Sequence, residues 1–216
     1  MKTKMPIVVL ISGRGRTLKN ILDKIDAGEL DVEVRAVIAS TPDASGLQYA
    51  EQANIDVYVV ERSAYETLEA FSDAVFKICD QYHASYVVFA GYLSFLQIPT
   101  RYENHVLNIH PSLIPSFCGK GNYGRSVHES ALRRGVKITG CTVHFVDNEY
   151  DNGPIILQIP VEVREDDTTD TLSDRVLYDA EFVAYPKALQ WLAEDRVTVV
   201  KVQQGSTTRS VVKIKK

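Results

Sequence analysis

Apolar positions in the first half of the chain follow two alternating rhythms. Short, mostly apolar runs at Ile7–Ile11, Val34–Ile38, Val57–Val60, Tyr86–Ala90 and Val106–Ile109 predict strands, the first of them buried on both faces. Between them, Leu18, Ile21, Leu22 and Ile25 recur at i, i+3, i+4, i+7 and predict a helix. Residues 45–53 predict a short second helix. Leu68, Phe71, Val75, Ile78 and Tyr82 form a third helical stripe. This βαβ alternation predicts an α/β fold with a doubly wound, mostly parallel sheet.

The rhythm changes after about residue 137. Ile138–Val146 and Ile155–Val163 are extended runs rich in β-branched residues, and the turn-rich link Asp147–Pro154 predicts antiparallel strands added to the sheet. A long helix over about 169–194 follows, with Thr169 or Asp170 as N-cap and Pro186 as the point where it kinks or splits. Val197–Val202 and Val211–Ile214 predict a hairpin across Gly205, or else a frayed basic tail.

Composition narrows the partners. The 216 residues are 45% hydrophobic and 24% charged, enough to fold around a core without staples. The net charge of −4 argues against general nucleic-acid binding while leaving a small anionic substrate open. Cys79, Cys118 and Cys141 are odd in number and far apart, which predicts neither a zinc ribbon nor a redox dithiol, and a reducing, cytoplasmic setting. No apolar run approaches the length of a membrane span, and Ile7–Ile11 is too short for a signal-peptide core.

Three segments carry chemistry. Ser12-Gly13-Arg14-Gly15-Arg16-Thr17 stands between the first strand and first helix, where backbone N–H groups face an anion. Leu18 breaks a dinucleotide fingerprint, so the turn is either a phosphate site or only a capped turn. Asn108 and His110 close the fifth strand, where parallel sheets place their ligands. Two residues apart, they project to one side, one an amide donor and the other a titratable imidazole. Asp151, in the Asp147–Pro154 link, is either a solvated turn residue or a site acid. His110, His128, His144 and Asp151 lack the spacing of a metal site, and no metal is expected.

Taken together these landmarks resemble the phosphoribosylglycinamide formyltransferases, a family of folate-dependent formyltransferases. The likeness runs from Ile7 to Val199: V-V-L-I-S-G-x-G, V-V-F-A-G-Y at 87–92, N-I-H-P-S-L-I-P at 108–115, T-V-H-F-V-D-N-E-Y-D-N-G-P-I-I-L-Q at 142–158 and A-Y-P at 184–186. It implies one Rossmann-like formyltransferase domain over 1–200 and a basic extension over 201–216. It also implies transfer of a formyl group from 10-formyltetrahydrofolate to the amine of 5-phosphoribosylglycinamide, a step of purine synthesis. Asn108, His110 and Asp151 would be catalytic. Gly15, Arg16 and Thr17 would hold the substrate phosphate, and Glu181 the glycinamide side. Leu93, Ser94, Phe95 and Leu96, with Asn108, would bind the folate, and part of the 147–151 loop would read the pterin edge.

The chain departs from the family pattern at three places. Arg14 and Arg16 charge the first turn. Ser94 and Leu68 stand where relatives often carry folate-contacting arginines, with Arg62 a candidate substitute. The 116–125 segment, with G-K-G-x-Y-G, is either a mobile lid over the folate or a loop insertion without catalytic role. The partner expected is a small molecule with a phosphate and a primary amine, not nucleic acid or a membrane. Two alternatives stay open: transfer to another amine, such as an amino sugar nucleotide, and a non-catalytic Rossmann-like binding module.

Overall fold

The computed structural model describes residues 4–215. Its strands are β1 (Met5–Ile11), β2 (Val32–Ala39), β3 (Asp56–Val59), β4 (Tyr86–Phe89), β5 (Val106–His110), β6 (Ile138–Phe145), β7 (Ile155–Glu162), β8 (Val197–Gln204) and β9 (Thr207–Ile214). Its α-helices are α1 (Arg16–Asp26), α2 (Leu47–Gln52), α3 (Leu68–Gln81), α4 (Arg125–Arg134), α5 (Thr169–Arg175) and α6 (Phe182–Ala193). The seven-stranded sheet has the order β3-β2-β1-β4-β5-β6-β7, and β8 and β9 form a sheet of two. The chain divides into two compact units between Asn108 and Ile109.

In the first unit the apolar runs become parallel strands. β1 pairs with β2 on one side and β4 on the other, and β4 with β5. Ile7 to Ile11 are wholly buried, as expected of a central strand covered on both faces. Because β2 and β3 lie on one side of β1 and β4 on the other, the strand order reverses at β1/β4. Such a switch point opens a crevice at the carboxyl ends of the strands. Thr67 caps α3 by accepting a hydrogen bond from the Ala70 N–H, and Phe71 and Val75 of its stripe are buried.

The second unit holds the antiparallel pair β6–β7, with Thr142 opposite Gln158. The helix cap and the number of helices differ from the sequence reading here. The N-cap of the long helix is Thr168, one residue before the two candidates, and it forms a reciprocal capping box with Thr171. Pro186 does not split the helix: α6 runs through it, and a π-helical turn stands just ahead at Val176–Glu181. A π turn displaces carbonyls from the α ladder, which leaves room for a residue with no N–H to offer. Helix α4 had no counterpart in the apolar pattern. Its buried face is only Val127, His128 and Ala131, too short and too polar a stripe to register. The terminal strands do pair as a hairpin across Gly205, from Val197↔Ile214 to Gln204↔Thr207.

Candidate active site

At the switch point of the first unit, one serine ties three strand ends together. The Ser12 N–H donates to the Gly91 carbonyl (3.1 Å). Its Oγ lies 2.6 Å from Ser40 Oγ and accepts from the Leu93 N–H at 2.8 Å. The turn that follows ends at Gly15, the N-cap of α1, in the left-handed region at φ 66°. Gly15 lies against Gly46: a Cβ on Gly15 would fall 2.6 Å from the Gly46 Cα. Neither position accepts a side chain, so the two loops are pinned together by the absence of one. A glycine cap offers no side-chain oxygen to the first-turn N–H groups, and no acidic residue stands in that turn. The turn therefore suits an anion. Arg16 and Thr17 are the first two residues of α1, with Thr17 buried.

In the second unit His110, at the end of β5, and Asp151, in the β6–β7 link, come together. Asp151 Oδ2 is 3.7 Å from His110 Nδ1, and Oδ1 is 3.8 Å from His144 Nε2. These are ion-pair separations, longer than direct hydrogen bonds. His110 is 3% exposed and His144 1%. Burial, the largest cause, pushes His144 below the usual imidazole range and keeps it neutral. Its Nδ1 lies 2.8 Å from the Phe145 carbonyl and so carries the proton, leaving a lone pair on Nε2 facing the carboxylate. His110 Nε2 donates to the Phe117 carbonyl at 2.9 Å, which leaves Nδ1 toward Asp151. The Gly119 N–H donates to Asp151 Oδ2 at 2.8 Å. The segment between β5 and α4 thus holds both groups with its own backbone.

Local chemistry explains how Asp151 is presented. The Asp147 carboxylate accepts from the Glu149 N–H and from Asn152 Nδ2, both at 2.9 Å, and folds the link back on itself. Asp151 itself adopts φ 53°. Gly153 passes so close to the Phe145 carbonyl that a Cβ would lie 1.9 Å from its oxygen.

A formyl transferase family model matches residues 5–189. The chain belongs to the formyl transferase family. Phosphoribosylglycinamide formyltransferase of Escherichia coli is 37% identical over 195 residues, 89% of each chain. Glycinamide ribonucleotide transformylase 1 of Symbiobacterium toebii superposes with a TM-score of 0.86 at 38% identity, covering 99% of this chain and 95% of its own. The trifunctional purine biosynthetic protein adenosine-3 of Gallus gallus is 37% identical over 91% of this chain, which spans only 19% of that relative's length.

Other formyl transferase candidates fall in varied surroundings. Asn108 is half-buried on β5, two residues before His110. In the stretch after β4, Leu93 is 60% exposed, Ser94 and Phe95 are half-buried, and Leu96 is 2% exposed. Glu181 is half-buried at the junction of the π turn and α6. Its charge acts on Cys141, whose thiol is pushed up to about 12, mainly by burial. Arg62 donates to the Tyr65 carbonyl at 2.6 Å and lies over the Phe71 ring. Among the described residues no group of three or more His, Cys, Asp or Glu is placed to hold a metal ion, and no helix is long and apolar enough to cross a membrane.

Three residues that shape these contacts lay outside the catalytic and binding residues expected from the sequence. His144 stands in a strand run where a lone histidine carries little signal, and only its seven-residue offset from Asp151 hints at a pairing. Gly46 and Gly153 act through close backbone approach, which one sequence does not display.

Proposed function

We propose that this chain transfers the formyl group of 10-formyltetrahydrofolate to the primary amine of 5-phosphoribosylglycinamide, the purine-synthesis step that names its bacterial relatives. The observation that carries the reading is the cluster of the buried His110 and His144 with the half-buried Asp151 at the carboxyl end of β5. The donor set fits a folate of this kind: amide, imidazole and carboxylate groups serve oxygen charge and proton movement, the two demands of moving a formamide-like carbon between nitrogens.

The folate supplies the formyl carbon as an amide on nitrogen. Asn108 donates its amide N–H to the formyl oxygen as charge develops there. His110 serves as second donor and proton carrier, taking a proton from the attacking amine and delivering it to the leaving nitrogen. Asp151 pairs with His110 and holds an ordered water in the relay. Gly15, Arg16 and Thr17 receive the phosphate at the N-terminus of α1, and Glu181 receives the glycinamide side. Leu93, Ser94, Phe95 and Leu96 border the folate, and backbone groups of 147–151 read its pterin edge.

The 116–125 segment acts as a lid in this reading. Its Phe117 carbonyl occupies the nitrogen of His110 that the substrate needs, so folate binding displaces that contact as the segment closes over the ring system. Hydrogen exchange across 116–125 with a saturating folate analogue tests the lid, and unchanged protection refutes it.

The test of function is a spectroscopic formyl-transfer assay offering 5-phosphoribosylglycinamide beside competing amines, an amino sugar nucleotide among them. Strong preference for the phosphorylated glycinamide is expected. Equal use of its dephosphorylated form removes the α1 turn from the site, and absence of transfer to any amine removes the enzymatic reading.

A further inference from the structure

One buried titratable group has no part in the chemistry above. His128 lies in the first turns of α4, directly after the segment that holds His110 and Asp151, and is 3% exposed between Val127 and Ala131. Its Nδ1 is sealed from solvent and has no hydrogen-bond partner. A buried polar atom without a partner carries its full desolvation penalty, and an apolar side chain of similar size avoids it. Core packing alone gives no reason for an imidazole here. His128 also lies within electrostatic reach of His110: burial foremost, and then the positive charge available to His110, push it down to about 4. It is therefore a neutral ring, a hydrogen-bonding group and not a second cation.

We propose that His128 is a positioning residue, whose Nδ1 holds an ordered water beside His110 and thereby fixes the path along which His110 passes its proton. The proposal rests on the formyl-transfer reading. The orphaned nitrogen lies outside the direct contacts of His110, whose two ring nitrogens face Asp151 and the Phe117 carbonyl. A water on Nδ1 satisfies the orphan and gives the cluster a link that does not depend on the lid. Because α4 begins where the lid ends, the same helix that anchors the lid also sets this water.

Three variants test the idea. His128→Leu removes the polar atom and keeps the volume. His128→Asn retains an amide close to the place of Nδ1, whereas His128→Gln carries its amide further out. The expected result is that His128→Leu melts at or above the parent temperature, keeps KM for both substrates within about twofold and loses about tenfold in kcat, the scale of one hydrogen bond. His128→Asn recovers most of that loss, and His128→Gln does not. In parallel, the His110 ring ¹⁵N chemical shifts move in the Leu and Gln variants and stay near the parent in Asn.

Parental kcat with unmoved His110 shifts in His128→Leu overturns the proposal. So does a loss of kcat that follows the melting temperature in all three variants. Should the leucine variant not fold, the Asn–Gln pair decides by the same two readouts. A parent enzyme that transfers no formyl group defeats the functional reading, while the ring shifts still report on the link from His128 to His110.

Discussion

Replacing Gly153 by alanine perturbs the site without touching any of its reactive groups. The new Cβ would lie 1.9 Å from the Phe145 oxygen and 2.8 Å from its carbon. A comfortable carbon–oxygen approach is about 3.3 Å, so the link and the end of β6 must part by roughly 1.4 Å. Both sides of that contact matter. Asp151 stands two residues before Gly153, and the Phe145 carbonyl accepts the Nδ1 proton that sets the tautomer of His144. The Phe145 N–H also donates to the Pro154 carbonyl at 2.9 Å, so the strand end cannot swing away without losing a second bond. Displacement of a catalytic group by about 1 Å costs on the order of a hundredfold in rate. Overpacking of this kind costs about 1–3 kcal/mol, which lowers the melting temperature by roughly 2–4 °C per kcal/mol in a chain of this size. Turnover, thermal melting and binding of a folate analogue should be measured together, with Gly28→Ala as control. Gly28 has φ 71° but open space around its Cβ position, so it adds backbone strain of about 1 kcal/mol without a steric clash. The expected outcome is turnover lost about a hundredfold in Gly153→Ala and kept in Gly28→Ala. A Gly153→Ala enzyme that melts lower but keeps at least half its turnover refutes the link between this contact and the Asp151–His144 geometry.

Further outcomes follow from the same geometry. Asp151→Asn should keep folate-analogue affinity while turnover falls by about 10²–10⁴, the range of general acid–base catalysis, and parental turnover would dismiss the His110–Asp151 coupling. Gly46→Ala should raise KM for the phosphorylated substrate with little change for the folate, since Gly46 meets Gly15 at the phosphate turn; equal effects on both would place the turn elsewhere. For pH, His128 has a folded value near 4 against an ordinary value of 6.5, so between those values the unfolded chain binds a proton that the native chain does not. Stability should fall as pH drops from about 6.5 to 4, and His128→Leu should flatten the melting-temperature slope across that window. Asp167, held down to about 2 by Arg175, contributes stability above its ordinary 3.8 that is lost as pH falls toward 2. Arg175→Gln should remove that lower step, and an unchanged acid limb would contradict it.

The sequence by itself determined the parts whose signal is local. An unbroken apolar run such as Ile7–Ile11 can only be satisfied as a strand covered on both faces, and the alternation of such runs with helical stripes dictates a wound parallel sheet. Asn108 and His110 were legible because a strand puts residues two apart on one side and ends where such folds bind ligands. Asp151 became legible through the family pattern, since an acidic turn has no period to betray it. Tertiary structure decided the rest, because the relevant forces act between residues far apart in sequence. Only folding brings Gly46 onto Gly15 and Gly153 onto the Phe145 carbonyl, and close approach leaves no mark on residue type beyond a glycine. Only burial makes His144 and His128 neutral, by removing the water that would solvate their charge. Helix α4 escaped for the same reason: its few apolar residues state too little on their own, and the neighbours that bury them are supplied by the fold.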